Sequence, residues 1–345
     1  MLRITLTAAI LLILAVAFFP SCTGSADRQA GKLTGEDSVR HGIEQLTQQI
    51  REDQTDPELY NKRAQLFLYK RQFDQALQDV QKAISISGDR PGPYITLADI
   101  YLLMGRPDDS RESLKKALTF DPENTAALLR LGKLYLIVRD YQNCYTTISR
   151  LLAIDDGVAP AYFIRAVGLL EQGDTLRAVD DLKKAVDKDQ EYYEALVQLG
   201  ALYSMKKDPL SEMYLKNALA LQPQSREALY MLGMYYQETM KYDLALSTYQ
   251  RLEKSDTAFR EASYNQGYIC LVYLKDFPRA AKFFTEAIRK DPEYYEAWFN
   301  RGYAYELSGD YKKAYTDYRK SLKIKVNYDK AIEGLNRLDK TAVPK

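Results

Sequence analysis

The sequence predicts an all-α protein made from one helical hairpin repeated along most of the chain, and three observations predict it. A small residue recurs at Ala76, Ser110, Cys144, Ala178, Ser211, Ala245, Ala280 and Ala314, at steps of 34, 34, 34, 33, 34, 35 and 34 residues. Two further mainly small series keep the same step: Ala64, Ala98, Gly132, Ala166, Gly200, Gly233, Gly267 and Gly302, and Ala83, Ala117, Leu151, Ala185, Ala218, Leu252, Ala287 and Ser321. Between them the apolar residues follow helical spacing. The last unit reads Trp298, Gly302 and Tyr305, a break at Ser308-Gly309-Asp310, then Tyr311, Ala314, Tyr318 and Leu322. A period of this length marks supersecondary units that bury their apolar faces only against one another.

Composition narrows the function. Of 345 residues, 46% are hydrophobic and 28% charged, which suits a folded chain and is too apolar for a disordered one. With 48 basic and 47 acidic residues there is no broad positive field for nucleic acid. Three cysteines cannot build a disulfide scaffold or a four-cysteine zinc site, and the single His41 leaves little for metal or acid–base chemistry. The chain holds no phosphate loop, no paired-histidine metal motif and no serine-nucleophile elbow. Cys144 and Cys270 fall on core positions of their units and read as small hydrophobes. No enzyme activity, cofactor or metal is implied.

The elements follow in order. Residues 1–21 read as a signal sequence: Arg3, an uncharged apolar run from Ile4 to Phe19, then Pro20-Ser21. The run is shorter than the roughly 20 residues of a spanning helix, so an uncleaved anchor is the lesser reading. Ser21-Cys22 resembles the lipobox of bacterial lipoproteins, in a relaxed form because Phe19 and Pro20 depart from the common residues. The resemblance implies cleavage before Cys22 and a diacylglycerol on its thiol; the alternative is a stray cysteine behind an ordinary cleavage site. Removing residues 1–21 leaves 47 basic and 47 acidic residues, so attachment rests on lipid rather than on a basic patch. Residues 22–36 read as the lipidated cysteine and a flexible tether. Residues 37–56 contain a capping helix with Ile43, Leu46 and Ile50 at helical spacing. Residues 57–328 hold eight hairpins, and Asp-Pro-Glu at 56–58, 121–123 and 291–293 supplies helix starts. Residues 329–345 read as a closing helix carrying Ala331, Ile332, Leu335 and Leu338, then a polar tail.

The hairpin pattern resembles the tetratricopeptide repeat, with units starting near 57, 91, 125, 159, 193, 226, 260 and 295. Small residues stand at positions 8, 20 and 27, and large ones at 4, 11 and 24. The resemblance implies a right-handed α-solenoid of about eight repeats with capping helices. Repeat 5 lacks one residue and repeat 7 has one extra. Ser263 and Cys270 replace large residues in repeat 7, which predicts a poorly packed first helix there.

In that family the first helices line a concave groove through positions 5 and 9. Here these are Asn61/Gln65, Ile95/Asp99, Leu129/Lys133, Phe163/Val167, Val197/Ala201, Tyr230/Met234, Tyr264/Tyr268 and Phe299/Tyr303, so the lining turns apolar and then aromatic. The resemblance implies a peptide-binding groove of Phe163, Val197, Tyr230, Met234, Tyr264, Tyr268, Phe299 and Tyr303. Asn265 and Asn300 are similar to asparagines that bond a peptide backbone in the family. Glu194, Glu227, Glu261 and Glu296 form an acidic rim that favours basic–apolar segments, or simply suit the helix dipole. The opposing reading is that the aromatics pack on the next helix. A carboxylate clamp of the family's kind is not expected, since only Arg130 matches among Asn61, Gln65, Thr96, Ala126 and Arg130.

The expected function is a non-catalytic, membrane-anchored scaffold of the bacterial cell envelope that binds a protein or peptide segment. By resemblance to other repeat lipoproteins, its partners would be cell-wall hydrolases, outer-membrane assembly components, or a pilus or secretion apparatus. Thr23 in place of an aspartate points to the outer membrane, facing the periplasm. The alternative is a carbohydrate-binding or enzyme-accessory module that stacks sugars on the aromatics.

Overall fold

The computed structural model describes residues 35–340. The signal sequence, Cys22, most of the tether and the last five residues lie outside them. Among the described residues there are eighteen helices and no strand. Contacts divide the chain into two units, one ending at Tyr192 and one beginning at Tyr193. Both are built as all-α solenoid: antiparallel helix pairs laid side by side, each helix packed on its sequence neighbours.

The first unit opens with α1 (Gly35–Glu52) and continues with four hairpins: α2 (Pro57–Tyr69) and α3 (Phe73–Ser87), α4 (Pro91–Leu103) and α5 (Pro107–Phe120), α6 (Thr125–Ile137) and α7 (Tyr141–Ile154), α8 (Ala159–Glu171) and α9 (Thr175–Lys188). The second holds α10 (Tyr193–Met205) and α11 (Leu210–Leu221), α12 (Arg226–Glu238) and α13 (Tyr242–Ser255), α14 (Arg260–Tyr268), which runs into a π-helical turn at Ile269–Tyr273, and α15 (Phe277–Lys290), α16 (Tyr295–Leu307) and α17 (Tyr311–Ile324), and closing helix α18 (Asp329–Lys340). The opening helix starts and stops a few residues before the expected 37–56 span, and Asp56 caps α2 instead by accepting from the Glu58 N–H at 2.8 Å.

Each hairpin turns the same way. Two residues past the end of each first helix stands a residue with positive φ: Arg71, Gly105, Arg139, Gly173, Lys207, Met240, Lys275 and Gly309. An aspartate at the next position caps the second helix in several repeats, with Asp140, Asp174, Asp276 and Asp310 accepting from the backbone N–H three residues on. The left-handed residue lets the chain stop a helix and reverse, which costs a side-chain-bearing residue more than glycine.

The core follows the small-and-large rule within every repeat. Where position 8 is glycine, position 24 sits directly upon it. A Cβ added at Gly233 would lie 2.5 Å from Tyr249, and one added at Gly267 would lie 2.8 Å from Phe284. The aromatic members of this set, Tyr249, Phe284 and Tyr318, all lie over glycine, whereas the repeats with Ala64, Ala98 and Ala166 at position 8 carry Val80, Leu114 and Leu182 at position 24. A second complement links position 7 to position 23. Arg63–Asp79, Arg165–Asp181 and Arg301–Asp317 are two-bonded pairs at 2.6 to 2.8 Å. Where position 7 is leucine, at Leu97, Leu131, Leu199 and Leu232, position 23 is Ser113, Thr147, Tyr214 or Thr248.

Repeat 7 corrects one expectation. Its first helix is not loosely packed: Ser263 and Cys270 are completely buried. A polar network fills the space that a large position-4 side chain would take. Ser263 donates to Glu253, and Lys290 donates to both Ser263 and Glu253 at 2.8 Å. Repeat 5 absorbs its missing residue by starting α11 at Leu210, which leaves that helix twelve residues long.

Candidate functional site

The residues singled out from the sequence in repeats 6–8 share one face, made by α12, α14 and α16. Positions 5 and 9 are four apart and so lie one above the other on a helix. The structure adds a partner that the sequence reading missed. Each position-5 aromatic packs against the aromatic that ends its own repeat: Tyr230 edge-on to Phe259 at 5.3 Å, Tyr264 against Tyr294 at 4.9 Å, and Phe299 edge-on to Tyr328 at 5.4 Å. Phe163 and Tyr192 repeat the arrangement in the first unit at 5.4 Å. The signal was present: the four repeats with an aromatic at position 5 are the four with an aromatic at position 34.

This packing sorts the candidates. Tyr230, Met234, Tyr264, Tyr268, Phe299 and Tyr303 are half-buried and keep part of their surface open. Val197 is 1% exposed and Phe163 8%, so these two are core residues and offer no ligand surface, which corrects the expectation for both. Asn265 and Asn300 are buried as well. Asn300 Nδ2 donates to the Tyr264 hydroxyl at 2.8 Å, and Asn265 Nδ2 donates to the Tyr249 hydroxyl at 3.2 Å. These amides hold tyrosines in place and do not stand free for a peptide backbone.

The four rim glutamates are half-buried at the starts of α10, α12, α14 and α16. Burial raises the Glu227 carboxyl above its ordinary range; Arg226 opposes this and Glu194 adds to it. Glu261 pairs with its neighbour Arg260 at 3.1 Å. Glu296 accepts from the Tyr295 hydroxyl and, with burial, pushes that phenol up to about 12. Burial foremost raises the phenols of Tyr264 and Tyr294, with the Glu296 charge next for Tyr264 and the neighbouring Tyr264 and then Glu296 for Tyr294. The face is therefore aromatic in the middle and anionic along one side.

In repeats 1–3 the corresponding positions are of mixed polarity, and polar members are engaged internally. Gln65 donates to Thr96 at 3.1 Å, and Arg130, the one match to a carboxylate clamp, is held by Asp99 at 2.8 Å. The two described cysteines lie in the core and not on either face. Burial pushes the Cys144 thiol up to about 12 and raises the Cys270 thiol, and His41 is exposed on α1. Among the described residues no group of acidic, histidine and cysteine side chains could hold a metal, and no helix is long and apolar enough to cross a membrane.

Stacked hairpins with a lined face define a class of interaction solenoids. Models of the tetratricopeptide repeat match residues 57–90, 92–124, 227–256 and 271–332. The chain is a tetratricopeptide-repeat protein, and its repeats make it a protein–protein interaction scaffold. The structure of pilF from Pseudomonas aeruginosa superposes with a TM-score of 0.55 at 15% identity, covering 66% of this chain and 99% of that one. The C-terminal part of a TPR repeat-containing protein from Cytophaga hutchinsonii gives 0.50 at 16% identity, covering 80% and 99%. Both likenesses concern the fold alone. No curated protein matches the chain.

Proposed function

We propose that the chain is a non-catalytic adaptor, tethered through an acylated Cys22 to the bacterial outer membrane and facing the periplasm, which holds a segment of a partner protein on the α12–α14–α16 face. The observation that carries the binding reading is the run of half-buried Tyr230, Met234, Tyr264, Tyr268, Phe299 and Tyr303 beside Glu227, Glu261 and Glu296. Aromatic anchors give large contact area at small entropic cost, and the carboxylates select a basic, apolar segment over an acidic one. The uncharged run before Ser21-Cys22 and the polar stretch after it support the lipid tether.

Replacing Tyr264 and Tyr268 together by Ala should weaken partner capture by about 2 kcal/mol or more while far-UV circular dichroism stays unchanged. Full capture by the double variant after crosslinking in intact cells would place the binding surface elsewhere. Cys22→Ala should abolish incorporation of labelled palmitate; labelling at the wild-type level would end the lipoprotein reading.

A further inference from the structure

The extra residue of repeat 7 is taken up at one place. In repeats 6 and 8 the N–H at the cap of the second helix bonds the carbonyl five residues back, Lys241 to Tyr236 at 2.8 Å and Asp310 to Tyr305 at 2.9 Å. In repeat 7 the Asp276 N–H reaches Cys270, six back, at 2.8 Å. The π-helical turn at Ile269–Tyr273 absorbs the insertion, so Gly267 and Phe284 still meet as in the other repeats. Single π turns inside α-helices often sit at functional places.

The surface consequence is local. Val272, Tyr273 and Leu274 are 42%, 43% and 41% exposed, and among the described residues no other three consecutive large hydrophobics stand open. Tyr273 stacks on Tyr242 of repeat 6 with ring centroids 4.6 Å apart, and it meets Tyr268 edge-on at 6.0 Å. Tyr268 belongs to the candidate binding face, so the aromatic surface runs on from that face to the turn edge. Core packing does not call for this ledge: in repeat 8 the same stretch is Glu306-Leu307-Ser308. On the other side of the face the half-buried Glu227 and Glu296 make no ion pair among the described residues, which leaves their carboxylates open to a basic ligand.

We propose that the ledge of Val272, Tyr273 and Leu274 is a second anchoring point for the segment held on the α12–α14–α16 face, taking an apolar pair from a chain whose basic residues lie along Glu227, Glu261 and Glu296. This rests on the binding reading above and goes beyond it, because it assigns a separate contact and a composition to the partner.

The test uses the full mature chain and fluorescent synthetic peptides of fourteen residues. One carries spaced lysines and leucines with a Leu-Phe pair at each end; a second has Ser-Ser in place of each pair; a third has glutamates for the lysines. The first should bind best, with the glutamate peptide weaker by about tenfold or more. Tyr273→Ser with Leu274→Ser should cost the Leu-Phe peptide about tenfold and the Ser-Ser peptide nothing. Deleting Val272, which restores the 34-residue step, should act in the same direction, and thermal melts confirm that both variants fold. If the Tyr264→Ala/Tyr268→Ala chain loses every peptide while the ledge variants bind as wild type, or weaken both lysine peptides alike, the ledge assignment falls and the face stands. If the Tyr264→Ala/Tyr268→Ala chain still binds, the face reading falls. Failure of the wild-type chain to bind any of the peptides overturns both.

Discussion

Repeats 7 and 8 close the same contact, Gly267 beneath Phe284 and Gly302 beneath Tyr318, but they neutralise buried charge differently. In repeat 8 the pair is internal: Arg301 grips Asp317 with bonds of 2.7 and 2.8 Å. In repeat 7 the equivalent positions hold Gln266 and Phe283, and the polar contacts run backward into repeat 6. The Lys290 side chain, 4% exposed, donates to Glu253 from α13, and Gln266 donates to the same carboxylate at 2.9 Å. Burial raises the Glu253 carboxyl, but the bonds from Lys290, Ser263 and Gln266 outweigh it and hold the group below its ordinary range. A buried charge needs a partner within reach, and that partner can come from the neighbouring hairpin as well as from its own.

The largest effect should come from breaking the internal pair. Asp317→Ala leaves the Arg301 guanidinium buried and unpaired, and should cost about 3–5 kcal/mol in denaturant unfolding. Adding the partner change should reverse this. Arg301→Leu with Asp317→Thr recreates the Leu232/Thr248 combination of repeat 6 and should return to within about 1 kcal/mol of wild type. A double variant as unstable as the single one would break the comparison at its centre.

The pair that joins repeats should respond to pH. Lys290→Met should cost about 3 kcal/mol at pH 7 by leaving Glu253 half-buried without its cation. In the wild type the folded Glu253 carboxyl lies below its unfolded value. Its contribution is therefore complete above about pH 4.5 and is lost as pH falls through the folded value. Without the ammonium the folded value rises, with only the bonds from Ser263 and Gln266 left to oppose burial, so the variant loses less stability than the wild type as pH falls. The stability gap between wild type and Lys290→Met should narrow from pH 7 toward pH 4; a constant gap would show that the loss is packing alone.

The smallest effect sharpens the comparison at the turn. Lys275 in repeat 7 and Gly309 in repeat 8 both sit at positive φ, 55° and 82°. Lys275→Gly should gain about 0.5–1 kcal/mol and Gly309→Lys should lose a similar amount, both read as shifts in the denaturation midpoint.

The hairpins were readable because the small and large positions recur in step, and packing demands that recurrence. Repeat 7 was readable only as a count. The 35-residue step from Ala245 to Ala280 shows that a residue has been added, but nothing in Ile269–Tyr273 marks a π turn, since the choice rests on which carbonyl the Asp276 N–H reaches. The Glu253–Lys290 pair was hidden for another reason. Charged residues 37 apart look like two solvated side chains until the fold closes over them. The candidate face was legible where position 5 is a large aromatic whose ring reaches past its packing partner. It failed at Val197, which is too short to emerge from the core, and at Phe163, whose ring is buried although it is a large aromatic.

The small-to-large contact has a further consequence for how such a chain can be lengthened. Glycine and its covering ring belong to one hairpin, so a unit copied or moved as a cassette carries that one contact with it. Repeat 8 carries both Gly302 with Tyr318 and Arg301 with Asp317, although Arg301 also donates to Thr285 and Asn300 to Tyr264 of repeat 7. Repeat 7 carries less of its own: Lys290 would arrive without Glu253, which only a longer cassette that includes repeat 6 supplies.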